Sequence, residues 1–410
     1  MLTLLSHYAN GVLKEALQGP VDEWNATHDR VKVRTTAVDF TDLLTTFMVR
    51  QAAGQGTDIV HPYCLWNGQL VKAGVLRPVP SEYAEEIRRG YGQAAVKAAS
   101  VAGRIYGYPT EVQTYALFYN KRLLRGAGVD GPPRTWRELE DTAYRTAERD
   151  RYGNVLVQGF GLSVIDDSTT VGQTLALLSA AGGRFVSADG RSTAIDSPAG
   201  RAVFDLEHRL VVEGASAPGV NVYQAFPSGR VAMVVSAGWW TGSLKALMGE
   251  DYRDVGVAPV PVPGAADERG TLSTGFMLGV NTASRHPREA WEFLRWLNTE
   301  KVRVKGAGKG AAATRMSLLQ VSAGSLTGRT DDMRTLLGAG GAGGTGGDPN
   351  LRPFLDALAY AVPEPNVPGA QQAKSLLRAN IEALWTGQRS VDEALRSTRR
   401  QVDQEVARRW

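Results

Sequence analysis

Residues 104–139, RIYGYPTEVQTYALFYNKRLLRGAGVDGPPRTWREL, contain the strongest structural signals in the sequence. The mostly apolar run at 114–119 has the length of a strand, and Asn120 separates it from the basic start of a helix. The glycines and the Gly-Pro-Pro that follow stop this helix. Thr135 then predicts a new helix start, because Glu138 stands three residues later, at the spacing of a capping box.

The composition is that of a soluble globular protein large enough to form two domains. The chain has 410 residues, of which 43% are hydrophobic and 21% charged. It has no run of eighteen uncharged apolar residues that could span a membrane. The net charge of +4 is small for this length, and acidic residues interleave with the basic ones near the carboxyl terminus. That pattern is typical of a solvated helix face, so no nucleic-acid partner is predicted.

The residues that carry metal or enzyme chemistry do not occur at the required spacings. Cys64 is the only cysteine, and the five histidines are scattered. The glycine-rich segment 338–350 contains G-x-G-x-x-G, but it lacks the strand before it and the helix after it that dinucleotide binding needs. No nucleophile or zinc motif is present. We therefore expect no metal, no cofactor and no catalytic residues.

The first sixty residues alternate strands and helices in the order of a doubly wound sheet. The predicted elements are strand, helix, strand, helix and strand over residues 2–6, 12–27, 31–35, 39–53 and 57–61. Ligands of such sheets bind beyond the carboxyl ends of the strands. This rule places three loops at one rim, over residues 8–10, 39–42 and 63–67.

A second set of strands follows the central stretch. A strand at 159–163 leads into residues 164–168, which include Asp166, Asp167 and Ser168, and a buried strand at 231–236 leads into Gly238, Trp239 and Trp240. Because the buried strand has already ended there, at least one of the two tryptophans is predicted to face a ligand.

Several ordered segments resemble one family. They are YGYP, FYNKRLL and AGVDGPPRTWRELEDTA in the central stretch, then FPSGRVAMVVSAGWW and TGFMLGVN, and finally the closing helices. Together they resemble the extracellular solute-binding proteins of carbohydrate-importing ABC transporters, the maltose-binding-protein-like family. The resemblance covers essentially the whole chain. The sequence departs from the family pattern in the segment AAATRMSLL, where the proline that is usual in the family is absent.

The resemblance implies an α/β protein with two lobes, each a doubly wound sheet flanked by helices, and a ligand cleft at the hinge. The expected N-terminal lobe consists of residues 1–112 and 278–325, and the C-terminal lobe of residues 113–277 and 326–410. The family works outside the cytoplasm, so we expect an export signal that this sequence lacks, and a lipid anchor is compatible with that location. The expected partners are a carbohydrate ligand and the membrane permease subunits of an ABC importer, with the receptor itself a monomer.

The predicted ligand-binding residues combine aromatic faces, which pack on the CH faces of sugar rings, with polar groups, which bind hydroxyls. The aromatic residues are Tyr8, Phe40, Trp66, Trp239 and Trp240. The polar ones are Asn10, Asp39, Asn67, Gln113, Asp166 and Asp167. By resemblance, Gly275 and Phe276 on the returning strand and Arg315 in the AAATRMSLL loop also reach the cleft.

Two alternatives stay open at this stage. A phosphorylated polyol such as a glycerol phosphate would need a cationic anchor, for which Arg315 and Lys245 are the candidates. A carbohydrate-active enzyme on the same fold would need a pair of carboxylates, either Asp166 with Asp167 or Glu111 with Asp39. Asp166 and Asp167 could instead cap a helix, and Arg315 could instead form an ion pair within the protein.

Overall fold

The computed structural model describes residues 1–9, 11–305, 310–337 and 348–409. In it the central stretch forms a strand over Tyr108–Asn120 and helices over Lys121–Gly126 and Trp136–Thr146. The Thr135 side chain accepts a hydrogen bond from the Glu138 amide at 3.3 Å. The Glu138 carboxylate in turn accepts one from the Arg134 amide at 2.6 Å. The predicted helix start is therefore present. The Glu138 carboxylate binds the amide of Arg134, the residue before the cap, instead of the amide of Thr135 itself.

Fifteen strands occur in these described ranges, and we number them in chain order. They are Leu2–Ser6 (β1), Val33–Ala37 (β2), Ile59–Val60 (β3), Ser100–Val101 (β4), Arg104–Ile105 (β5), Tyr108–Asn120 (β6), Glu148–Arg149 (β7), Val155–Phe160 (β8), Val231–Ala237 (β9), Val255–Ala258 (β10), Thr271–Val280 (β11), Lys301–Arg303 (β12), Ala312–Thr314 (β13), Leu326–Thr327 (β14) and Ala361–Pro363 (β15).

The α-helices of the described residues are numbered in the same way. They are Gly11–Thr27 (α1), Phe40–Ala52 (α2), Asn67–Lys72 (α3), Ser81–Gly90 (α4), Gln93–Ala98 (α5), Lys121–Gly126 (α6), Trp136–Thr146 (α7), Asp167–Ala180 (α8), Pro198–Val212 (α9), Val222–Ala225 (α10), Trp240–Met248 (α11), Pro287–Thr299 (α12), Arg315–Ser322 (α13), Thr330–Leu337 (α14), Arg352–Ala357 (α15), Ala370–Trp385 (α16) and Val391–Arg409 (α17). None of those helices is both long and apolar enough to cross a membrane.

The chain divides into two compact units, and both are discontinuous in sequence. The first unit consists of Met1–Gln113, Thr274–Asp348 and Asn366–Pro368. The second consists of Thr114–Ser273, Pro349–Pro365 and Gly369–Trp410. The strands β6 and β11 each contain a point at which the chain passes from one unit to the other.

The sheet of the first unit has the predicted strand–helix alternation. Strand β1 lies between β2 and β3 and is parallel to both, with α1 and α2 as the connections. Strand β11 then pairs antiparallel with β3, so the sheet is mixed rather than wholly parallel. The carboxyl ends of β1, β2 and β3 meet at one edge because these three strands run in the same direction.

The second unit also has a mixed sheet. Strand β9 is parallel to β8 and antiparallel to β6. Strand β10 adds antiparallel to the other side of β6, and β15 pairs in parallel with the first residues of β11. The long apolar strand β9 is buried along its whole length. It ends immediately before the Gly-Trp-Trp segment.

The boundaries between the units differ from the expected lobe boundaries in three places. The second segment of the first unit begins at Thr274 instead of residue 278, and it ends at Asp348 instead of residue 325. The short segment Asn366–Pro368 also belongs to this unit. Strand β14 pairs with the Glu111 end of β6, which holds it in the first unit. The Asn366 side chain donates to the carbonyls of Ala98 and Ser100, at 3.0 and 2.7 Å. These contacts join segments far apart in sequence, so local patterning carried no signal for them.

Candidate functional site

Five aromatic rings of the first unit come together at the carboxyl-terminal edge of its sheet. We call this group the aromatic patch: His7 after β1, Phe40 at the start of α2, Tyr63 and Trp66 after β3, and Phe276 in β11. His7 follows β1, Phe40 follows β2, and Tyr63 and Trp66 both follow β3. The doubly wound connection therefore brings together residues that are up to about 270 positions apart.

The rings of the patch pack in stacked and edge-on pairs. His7 stacks on Phe276 with ring centroids 4.0 Å apart, and Phe40 lies parallel to Trp66 at 5.5 Å. Tyr63 lies 5.1 Å from Phe276. Tyr63 and Trp66 are buried, the His7 side chain is only 10% exposed, and Phe40 and Phe276 are partly covered. The partly covered faces provide the apolar surface on which a flat ligand could pack.

A buried hydrogen-bond chain lies next to the patch. The Tyr8 hydroxyl donates to Glu111 Oε2 at 2.5 Å and accepts from Gln320 Nε2 at 2.6 Å. The other carboxyl oxygen of Glu111 lies 3.8 Å from His7 Nε2. Burial raises the pKa of Glu111 to about 7, and the bonds from Tyr8 and Gln320 offset only part of that shift.

The two histidines at this edge are neutral near physiological pH. Burial lowers the pKa of His7 to about 3 and brings that of His61 well below its usual range. His61 is bonded on both ring nitrogens, to Ser6 Oγ at 3.1 Å and Thr110 Oγ1 at 2.9 Å. His7 Nδ1 is buried without a hydrogen-bond partner among the described residues.

Three of the predicted first-unit residues are engaged inside the protein. Tyr8 is not an open platform, because its ring is 2% exposed and its hydroxyl is occupied. Asn67 is fully buried, and its amide donates to the Ala98 carbonyl at 2.9 Å. Gln113 is also buried and donates to Ser325 Oγ at 3.0 Å. Their side chains lie inward because each is close to a second chain segment that sequence spacing does not reveal.

The remaining first-unit predictions have mixed positions. Phe40, Trp66 and Phe276 all belong to the patch, in which Trp66 is a buried ring stacked on Phe40. Asp39 is exposed beside the patch, directly before α2. Gly275 is buried, and a Cβ atom there would stand 2.6 Å from the Glu111 carbonyl oxygen, so close strand packing requires glycine. Asn10 lies outside the described residues.

Arg315 is a packing residue of the first unit and not a member of the patch. Its Nε and Nη2 atoms donate to the two carboxylate oxygens of Glu23 at 3.0 and 2.6 Å. Its guanidinium also lies 3.9 Å from the centre of the Trp296 ring. This bidentate ion pair, one of the two interpretations open from the sequence, uses the donors that a ligand would need.

The second unit presents one open aromatic ring after β9. Trp239 is 39% exposed and lies 5.3 Å from the half-buried ring of Tyr223. Trp240, the first residue of α11, points the other way and is 3% exposed. It packs against Phe118 and Phe226, at 5.0 and 5.3 Å, so the prediction of a ligand contact for Trp240 is corrected to a core position.

The two aspartates after β8 have structural partners. Asp166 caps α8, because its Oδ1 accepts from the amides of Ser168 and Thr169 at 2.7 and 2.8 Å. Asp167 fastens α8 to α16 by accepting hydrogen bonds from Ser375 and, at 2.9 Å, from Gln371, and by an ion pair with Arg378 at 2.8 Å. Asp166 therefore caps a helix, as in the interpretation that competed with a catalytic pair of carboxylates. Nowhere in the described ranges do three histidine, cysteine or acidic side chains form a group able to hold a metal.

Sequence reasoning missed four residues that the structure brings to these surfaces. They are His7, Tyr63, Tyr223 and Gln320. The strand-end rule did place Tyr63 in a rim loop, although it was not selected as a ligand residue, and the same rule could have included His7, which directly follows a predicted strand. Gln320 lies in the middle of α13 and carried no such signal.

The comparisons with known proteins agree with this arrangement. A family model described as bacterial extracellular solute-binding protein matches residues 10–304. A Brucella abortus (strain 2308) protein named only as a binding protein is 26% identical over 264 residues, which is 62% of this chain and 61% of that protein. The maltotriose-binding protein of Pyrococcus abyssi (strain GE5 / Orsay) is 25% identical over 281 residues, 64% of this chain and 55% of that protein. The match thus spans less than two thirds of the length of these relatives.

Solved structures with the same fold cover nearly the whole chain. The cyclic alpha-maltosyl-1,6-maltose binding protein from Arthrobacter globiformis superposes with a TM-score of 0.80 at 21% identity, over 99% of both chains. The GacH receptor of Streptomyces glaucescens GLA.O, solved unliganded and with acarbose, also gives 0.80, at 22% identity and 99% coverage of both chains. The two-unit α/β architecture is therefore the fold of these solved structures.

Proposed function

The chain belongs to the bacterial extracellular solute-binding proteins, and from that premise we propose that it captures a carbohydrate for an ABC importer. The observation that carries the proposal is the aromatic patch, with partly uncovered faces of Phe40 and Phe276 at the ligand edge of the first unit. The names of the related proteins support the same ligand class, since they include binders of maltotriose and of a cyclic maltosyl sugar.

The chemistry of these surfaces suits a sugar. A sugar ring has apolar CH faces, which gain from contact with flat aromatic rings, and hydroxyls, which each need a polar partner once water is removed. The patch supplies the rings in the first unit, and Trp239 supplies one in the second. Asp39, exposed directly before Phe40 in the chain, is the polar residue that we propose for the hydroxyls.

Binding is proposed to work by closure of the two units around the ligand. Each unit has its own aromatic surface. A ligand that contacts both surfaces at once would therefore favour the closed state of the protein. The discontinuous division of the chain supports a hinge built from β6 and β11. The family works outside the cytoplasm, and we propose a monomeric receptor there that engages membrane permease subunits.

The two alternatives have weaker support. A phosphorylated polyol would need a cationic anchor, but the Arg315 guanidinium is held by Glu23, and Lys245 is exposed on α11. A carbohydrate-active enzyme would need a carboxylate pair, but Asp166 and Asp167 serve α8 and α16. The relatives and structural neighbours are also binding proteins.

A binding screen tests the proposal. Thermal unfolding should be measured with maltose, maltotriose, mannobiose, tagatose and glycerol phosphate, followed by calorimetry with any compound that raises the melting temperature. We expect at least one neutral saccharide to stabilise the protein and to be recovered unchanged. Stabilisation by glycerol phosphate alone, or release of reducing sugar, would replace the proposal by the corresponding alternative.

A further inference from the structure

Glu111 is a buried carboxyl group without a cationic partner. Its side chain is 7% exposed, and no arginine or lysine of the described residues pairs with it. The Tyr8 hydroxyl and Gln320 both act on it as hydrogen-bond donors, and Gln320 also donates to the Tyr8 hydroxyl. Burying an ionised carboxylate without a counter-charge is unfavourable, so such a group has a functional or positional reason to be there.

The location of Glu111 connects the patch to two other elements. Glu111 belongs to β6, where its backbone pairs with Thr327 of β14. Through Tyr8 it is bonded to the segment that carries His7, the ring stacked on Phe276. Through the same hydroxyl it reaches Gln320 of α13. The carboxyl therefore holds the turn after β1 against the strand and the helix.

None of the neighbouring groups described below changes its protonation state near neutral pH, so Glu111 is the group that titrates there. From the turn after β1 it meets Tyr8, whose pKa burial raises far above its usual range, and His7, whose pKa burial lowers to about 3. The histidine after β3, His61, is likewise held neutral by burial. Strand β14 and helix α13 bring Thr327 and Gln320, which do not titrate.

We infer that Glu111 is a positioning residue of the aromatic patch, and that its protonation state sets carbohydrate affinity near neutral pH. This inference rests on the proposed function. A sugar seated on the patch covers the remaining exposed surface of His7, whose Nε2 lies 3.8 Å from Glu111 Oε1, and the loss of water there disfavours the ionised carboxyl. The bound protein therefore holds the Glu111 proton more tightly than the free protein does.

The sign of the effect follows from linkage. When the pKa of a group is higher in the complex than in the free protein, binding takes up protons, and affinity falls as pH rises between the two pKa values. Burial raises the pKa of free Glu111 to about 7, so the fall begins near pH 7. A shift of one unit on binding corresponds to about a tenfold loss of affinity on the alkaline side.

Calorimetry from pH 5.5 to 8.5 tests the inference, using the tightest-binding saccharide of the screen. Wild-type affinity should fall by about threefold to tenfold across this range. Glu111→Gln keeps the shape of the neutral acid and can still accept from Tyr8, so it should bind with nearly constant affinity at all pH values. Glu111→Ala, which removes the positioning bond, should bind more weakly than wild type throughout.

The matched control is Glu207→Gln in the second unit. Glu207 is an equally buried carboxyl whose pKa burial also raises to about 7, but it lies among α8, α9 and α16. Its replacement should leave the pH dependence of affinity as in wild type. A pH-independent wild type, or a slope retained by Glu111→Gln, overturns the inference. Absence of saccharide binding at every pH overturns the proposed function instead.

Discussion

The rings of Phe40 and Trp66 lie parallel, with their centroids 5.5 Å apart and 12° between their planes. Trp66 is 5% exposed and forms the inner layer, while Phe40 is only partly covered. The outer ring is thus held flat by the inner one. Phe40 can offer a rigid face to a ligand at little further entropic cost, because its conformation is already fixed before binding.

Replacing Phe40 by alanine should weaken saccharide binding by about tenfold, or about 1.4 kcal/mol. The loss is moderate because the Trp66 ring beneath it becomes accessible and recovers part of the contact. Isothermal calorimetry measures the effect. Val49→Ala is the control in the same helix, since Val49 is 62% exposed, and its affinity should equal that of wild type. Equal affinity of the two variants would remove Phe40 from the ligand surface.

Replacing Trp239 by alanine should weaken binding by about thirtyfold or more, because truncation of an aromatic anchor costs about 2–4 kcal/mol. The folded state should persist, since Trp239 is 39% exposed. Trp240→Ala is the neighbouring control. That ring is 3% exposed among Phe118 and Phe226, so its loss should cost about 3–5 kcal/mol of unfolding free energy. Calorimetry and denaturant unfolding on both variants separate a ligand platform from a core residue.

Replacing Arg315 by alanine should lower stability and leave saccharide affinity unchanged. The variant loses the bidentate pair with Glu23 and the contact with the Trp296 ring, which together contribute about 1–2 kcal/mol. Arg315→Lys retains a charge but not the fork, so its stability should lie between those of alanine and wild type. A large loss of affinity in Arg315→Ala with unaltered unfolding would instead restore the ligand role predicted from the sequence.

The stability contribution of Glu207 should decrease as pH rises. Burial raises its pKa from the ordinary 4.5 to about 7 in the folded state, although Thr174 and Trp385 donate to its two oxygens. The folded protein then binds a proton that the unfolded chain has released. The free energy of unfolding should therefore fall between pH 4.5 and 7 and be level above that range.

Glu207→Gln measures this contribution, because its amide can donate to Thr174 and accept from Trp385 without titrating. The difference in unfolding free energy between wild type and variant should shrink by about 2–3 kcal/mol from pH 4.5 to 7. Urea unfolding at several pH values gives this difference. A constant difference would mean that the carboxyl has the same proton affinity in both states.

Local signals determined much of the architecture in advance. The order of strands and helices in the first sixty residues, the helix start at Thr135 with Glu138, and the buried strand before Trp239 were all predicted from patterns spanning a few residues. Hydrophobic periodicity and capping act over one or two turns of backbone, so a linear sequence displays them directly. The ordered segments of the family resemblance extended the prediction to the two-unit fold.

Tertiary structure decided which side chains at those strand ends are open. Trp239 and Trp240 are adjacent, yet one is partly exposed and the other is core, because they stand at the start of α11, where successive side chains point to different sides of the helix. Asn67, which the sequence predicted as a ligand contact, is instead turned inward to the Ala98 carbonyl. Local pattern cannot give these directions, since they depend on which segment packs on the other side.

The longest-range feature, the chain from Glu111 through Tyr8 to Gln320, was invisible in the sequence. Tyr8 and Glu111 are 103 residues apart, and Tyr8 and Gln320 are 312 apart. A buried carboxyl is tolerated only where another segment supplies a hydrogen-bond donor at the right distance. That donor arrives through the fold of the first unit, so the sequence determined the elements, and their packing alone determined this contact.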